Sequence, residues 1–177
     1  MRLFSFLRAD PQADAAHRLH LAIVSQARQP AFYRDAGVPD TLDGRFELIV
    51  LHAFLLLQRL KAEGAAGAEL GQRLFDLLFA DMDQGLREMG VGDLGVGRRI
   101  KDMAKAMYGR IASYEAGLAG PDSVLAEALR RNLYGTVTAE EAHIERIAGY
   151  LRRQQQALSA SRFEDLKQGN LKFEEFT

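Results

Sequence analysis

Four histidines, five methionines and no cysteine set the chemistry open to these 177 residues. Without thiols there are no disulfides, thiolate metal sites, iron–sulfur clusters or cysteine nucleophiles. His17 and His20 stand three apart and can share a helix face. Glu140-x-x-His143 is half of a di-iron carboxylate site, which needs a second such motif and further carboxylates, and no second copy exists. His52 sits inside the apolar run 48–57, where a hydrogen-bonded core histidine is expected. Met82, Met89, Met103 and Met107 fit haem contact or plain core filling. Ser5, Ser25, Ser113, Ser123, Ser159 and Ser161 lie in no nucleophile motif such as G-x-S-x-G. No catalytic set and no cofactor is assigned. A helical haem- or metal-binding carrier is the alternative function that these side chains leave open.

The acids and bases are more telling than the histidines. Asp81 and Asp83 are two apart, so they diverge on a helix and form no dyad by spacing alone. Asp81 falls in an apolar sector beside Leu74, Leu77 and Leu78, where a structural ion pair with an arginine of a neighbouring helix is expected. Residues 69–93 carry six acids and two bases, net −4, and residues 98–110 carry five bases and one acid, net +4. Arg98, Lys101 and Lys105 make a basic ridge of 3,4 spacing that Tyr108 extends. Either the ridge is a solvated face or pairs within the chain with the acidic helix, or it docks on an acidic partner, RNA or anionic lipid. Between them, Gly90-x-Gly92-x-x-Gly95 matches a dinucleotide fingerprint as a string. That motif needs a preceding strand, whereas a helical pattern precedes it here, so a helix–loop–helix turn is expected, with Asp93 as a cap.

These residues need helices to hold them. Asp10-Pro11 reads as a cap and first turn of a helix over 11–29 that Pro30 ends. Residues 32–40 read as a turn-rich connection. A helix over 41–63, apolar almost all round, should be the central buried one. Residues 64–68 read as a loop and 69–89 as an amphipathic helix with Glu69/Arg73 and Asp83/Arg87 pairs. Val96, Ile100, Met103, Met107, Ile111, Tyr114 and Leu118 define the next helix. A short helix over 123–133 follows Gly120-Pro121. Thr138-x-x-Glu141 reads as a capping box opening a helix to about Gln156. No strand alternation is found, so the expected fold is a single all-α domain, a bundle of six or seven helices. It divides into an N-terminal segment 1–10, flexible or touching a membrane through Leu3, Phe4, Phe6 and Leu7, a helical domain 11–156, and a polar then amphiphilic tail 157–177 that docks or stays mobile.

Composition narrows the class further. The net charge of −1 argues against general nucleic-acid binding, and DNA is not an expected partner. A hydrophobic content of 47% with 27% charged residues is ordinary for a soluble globular chain. The longest apolar run is ten residues, half of a membrane span.

The string from Leu74 through Asp81-Met-Asp83 and Leu86-Arg-Glu-Met-Gly-Val-Gly-Asp93 to Gly97 is distinctive, as are Arg98-Arg-Ile-Lys-Asp-Met103 and Tyr108-Gly-Arg110. With Pro39-Asp-Thr-Leu-Asp-Gly-Arg-Phe-Glu47 and His52, this pattern resembles the ubiquinol–cytochrome c chaperone family over about residues 15–150. The resemblance implies a non-enzymatic assembly role: binding newly made cytochrome b, or another bc1 assembly component, during biogenesis of the cytochrome bc1 complex. Mitochondrial relatives also work with a small partner protein and associate with ribosomes. The expectation is a compact bacterial-type member without their presequence and membrane-associated extension, cytoplasmic, with peripheral contact on the inner face of the inner membrane. No catalytic residue is transferred. A hydrophobic groove with a charged rim suits a client helix. The expected partner surface is Asp81, Asp83, Arg87, Glu88, Asp93, Arg98, Lys101, Lys105, Tyr108 and Arg110.

Overall fold

The computed structural model describes residues 10–177, so the expectations for the first nine residues lie outside it. The described chain is helical throughout, without strands: α1 (Pro11–Ala27), α2 (Pro30–Arg34), α3 (Leu42–Lys61), α4 (Gly64–Glu88), α5 (Asp93–Ala119), α6 (Asp122–Arg131), α7 (Glu141–Ala160) and α8 (Phe163–Lys167). Six are full helices, and α2 and α8 are single turns. The expected all-α single domain is the fold. No helix among the described residues is long and apolar enough to cross a membrane.

Local chemistry sets the boundaries. The Asp10 carboxylate accepts from the Gln12 and Ala13 amides at 3.0 and 3.4 Å and starts α1, with Pro11 in the first turn. Thr41 caps α3 by accepting from the Gly44 amide at 3.2 Å. Pro30 ends α1 as expected but also opens α2, because its fixed φ suits a first helical position. The predicted connection after it therefore begins as a helical turn that buries Phe32 completely.

The predicted loop 64–68 is the first turn of α4. Gly64 alone reverses the chain, at φ +62°, and the alanines that follow propagate helix. The expected capping box at Thr138 does not form. Glu140 is the N-cap, without a side-chain bond, and Glu141 is drawn to Arg130 instead.

α3 lies at the centre, touching α1, α4, α5 and α7. Leu48, Leu51, Phe54, Leu55 and Leu56 are essentially inaccessible, which is why this helix shows no polar face. His52 is fully buried within it, and burial pushes its pKa down to about 4. Held neutral, it donates from Nδ1 to the Leu48 carbonyl at 2.7 Å and accepts at Nε2 from the Tyr150 hydroxyl at 2.8 Å. It is the core histidine expected of it.

The tail docks. Phe173 and Phe176 are buried against a cluster formed by Phe32, His52 and Tyr150. The buried Gln154 amide donates to the Glu174 carbonyl at 2.9 Å and accepts from the Glu174 amide at 3.2 Å, and Gln26 donates to the same carbonyl at 3.0 Å. Side-chain amides thus replace the ladder partner that an extended segment lacks.

Candidate functional site

The α4–α5 hairpin turns where the charge changes sign. Gly90, at φ +82°, closes α4, and Gly92 is the N-cap of α5. The glycine string is therefore a helix–loop–helix turn. Asp93 lies in the first turn of α5 rather than at its cap, where its charge suits the positive end of the helix. Arg87 reaches Asp83 at 2.6 Å and also binds Asp93, locking the turn from both sides. Arg73 likewise holds Asp10 at 2.7 Å and Glu69 at 3.4 Å.

This pairing speaks against the intramolecular reading of the charge pattern. The arginines of α4 take α4's own acids, the neighbouring Asp93 and the α1 cap. Among the described residues none of Arg98, Arg99, Lys101 and Lys105 makes an ion pair, and all four are exposed. The basic ridge is therefore a solvent-exposed face. Tyr108 ends it, 62% exposed and stacked on Phe75 at 5.6 Å.

Behind the hairpin lies an open cleft of about 740 Å³. The C-terminal half of α4 and the middle of α5 form one wall. The end of α1, the start of α3 and the α6–α7 connection form the other. Its apolar surface comes from side chains such as Phe46, Ile49, Met82, Leu86 and Met103. Of the ten expected partner-surface residues, only Asp81 and Arg110 line it. Arg98, Lys101, Lys105 and Tyr108 form the exposed ridge, while Asp83, Arg87, Glu88 and Asp93 surround the turn.

One polar contact and one ion pair sit at the cleft. Asp81 meets His20 at 3.7 Å and forms no ion pair with the arginine expected for it, because its side chain is 60% exposed and solvated while α1 presents a histidine to that part of α4. Burial lowers the His20 pKa, and Asp81 only partly opposes that. Deeper, Arg110 binds Glu47 with its Nε at 2.7 and 2.6 Å from the two carboxylate oxygens and with Nη2 on Oε1. The guanidinium also lies over the Phe46 ring at 5.7 Å. Burial pushes the Glu47 carboxyl up and Arg110 pulls it back. The Tyr114 hydroxyl is buried nearby without a hydrogen-bond partner, and burial raises its pKa strongly.

Glu47 escaped the sequence reading of the site. A signal was present: it is the acid that directly precedes the apolar run 48–57 of the most apolar helix, where an ion must find a partner. Arg28, Arg45 and Arg131 were missed for another reason, since they come from three separate elements that only the fold brings to one cleft. The histidines do not converge: among the described residues no group of three or more His, Cys, Asp or Glu side chains could hold a metal ion.

The chain was compared with known proteins. It is 30% identical over 152 residues to the ubiquinol-cytochrome-c reductase complex assembly factor 1 of Xenopus laevis, covering 86% of this chain and 76% of that protein. It is 29% identical to the human protein of that name, over 86% of this chain but 51% of the human one, so it spans about half of that relative's length. The crystal structure of the Cbp3 homolog from Brucella abortus superimposes with a TM-score of 0.84 at 35% identity, covering 94% of this chain and 92% of that one. A model of the ubiquinol-cytochrome C chaperone family matches residues 34–173, which contain α3 to α8, the cleft's Glu47–Arg110 pair and the basic ridge, and the chain belongs to that family.

Proposed function

We propose that this protein is a non-enzymatic chaperone that holds newly made cytochrome b during assembly of the cytochrome bc1 complex. Family membership supports the assembly role. The observation that carries the client reading is a largely apolar cleft together with an exposed basic ridge, unpaired among the described residues, on the α4–α5 hairpin that forms one of its walls. A nascent membrane subunit exposes apolar helices before its partners arrive. The cleft offers such a segment a surface rich in methionine, whose flexible side chain adapts to varied shapes. The ridge of Arg98, Lys101, Lys105 and Tyr108 steers and orients the client through charged flanks.

Contact with ribosomes, and peripheral contact with the inner face of the inner membrane, belong to the same proposal, because both surfaces are anionic and suit that ridge. The test is charge reversal, Lys101→Glu with Lys105→Glu. Both side chains are exposed and unpaired, so folding should be unchanged. Client capture should fall several-fold. Capture and bc1 assembly at the level of the unaltered protein would remove the ridge from the account.

A further inference from the structure

Nothing within the described fold requires glycine at position 85. It lies in the last turns of α4, where glycine costs helix stability relative to alanine. Its φ is not positive, unlike those of Gly37, Gly64, Gly90 and Gly169. A Cβ built on it meets no described atom within 4 Å, so close packing does not exclude one. Gly117 shows the contrast, since a Cβ there would meet the Leu125 backbone at 2.8 Å. Gly85 instead lines the cleft, and its missing side chain leaves the α4 backbone bare toward the open space.

The mouth of the cleft is apolar and uncovered on both walls. Leu42, on one, is 63% exposed, and Met89, on the other, is 52% exposed. The lining is balanced in charge, with four carboxylates and four arginines. Glu47 is held by Arg110, and Arg45 binds Asp40 at 2.7 Å. A charged ligand of either sign therefore meets as much repulsion as attraction and loses its hydration as well. An uncharged apolar segment meets neither cost.

We propose that the cleft takes an uncharged apolar α-helix of the client, whose backbone crosses α4 at Gly85. This rests on the client reading above and names the segment that the cleft holds. Side chains recurring every three to four residues along such a helix fill the space among Phe46, Ile49, Met82, Leu86 and Met103. Where two helices cross, the side chains at the contact set the distance between their axes, usually about 8–10 Å. Glycine at the crossing lets the two backbones come closer, so the client helix seats between the walls instead of riding on the mouth. α4 gives up helix stability at Gly85 for contact with a partner.

The experiment is fluorescence anisotropy with a labelled helical peptide of about 15 residues, leucines on one face and glutamines on the other, titrated with the full chain. The salt is about 0.15 M, where the exposed basic ridge is screened. Saturable one-to-one binding is expected. Gly85→Ala should weaken it several-fold, and Gly85→Leu by more than about tenfold, because each fills the crossing point. Gly85→Ala should at the same time raise the melting temperature by about 2 °C, so binding and stability move in opposite directions. Peptides with the glutamines changed to lysine or to glutamate should both bind more weakly than the neutral one. Unchanged binding by Gly85→Leu, or tighter binding of either charged peptide, would overturn the proposal. So would a dimer of the unaltered chain in analytical ultracentrifugation that Gly85→Leu dissolves, because the cleft would then serve a second copy. Equal crosslinked recovery of labelled cytochrome b by the unaltered chain and by Gly85→Leu would overturn docking at Gly85 and leave the client reading standing. Failure of the unaltered chain to recover cytochrome b would overturn the client reading itself.

Discussion

Removing Arg110 should expose how the cleft is held together. The Glu47 side chain is 6% exposed, and Arg110 is its ion-pair partner. Arg110→Met keeps a long apolar stem over Phe46 but leaves the carboxylate buried beside no cation. Breaking a buried pair by removing one partner costs about 3–5 kcal/mol. The Arg110 side chain retains 23% exposure, so water can enter and the lower end, about 3 kcal/mol at neutral pH, is expected.

The penalty should depend on pH in a defined direction. Burial already raises the Glu47 pKa, and loss of Arg110 removes the main opposing influence. A carboxyl raised in the folded state keeps its full contribution below its unfolded pKa. It loses that contribution as pH climbs through the folded value. The difference from the unaltered protein should therefore be small near pH 4 and grow toward pH 7. Urea unfolding followed by far-UV circular dichroism across that range reads it directly. Adding Glu47→Gln to Arg110→Met should recover most of the loss. A difference below about 1 kcal/mol, or one independent of pH, would refute a buried ionised Glu47.

Other outcomes follow from the same packing. His52 is held neutral with a pKa of about 4, so the native state loses stability as pH falls from about 6.5 through that value. The loss approaches about 3 kcal/mol, and His52→Gln should flatten that part of the stability-versus-pH curve. Phe173→Ala should cost about 3 kcal/mol in denaturant unfolding, because its ring is buried against His52 at 5.1 Å. Gly44→Ala should lower the melting temperature, since a Cβ there runs into the Pro39 carbonyl oxygen at the start of α3.

The fold was legible where one physical signal dominated. α3 carries an unbroken apolar surface, α5 a regular stripe, and α1 a cap followed by proline, and each was placed to within a few residues. Errors arose where local signals admit two outcomes. Pro30 both ends one helix and begins another, and the alanines after Gly64 read as a loop beside glycine though they favour helix. The site was half legible. Spacing revealed the Arg98–Lys101–Lys105 ridge, and the structure adds that α4's arginines leave it unpaired. The cleft was hidden because Arg28, the Arg45–Glu47 stretch, Arg110 and Arg131 are distant in the chain. Asp81 shows the same limit: its spacing puts it beside apolar residues, but in the fold its side chain is 60% exposed and meets only His20 of α1 at 3.7 Å.

The central claim is client capture. Crosslinked pulldown from native membranes, with newly synthesised protein labelled, tests it most directly. The account predicts recovery of cytochrome b with the unaltered chain and reduced recovery with the Lys101→Glu, Lys105→Glu variant. Recovery of unrelated soluble proteins in its place, with no labelled cytochrome b, would contradict it.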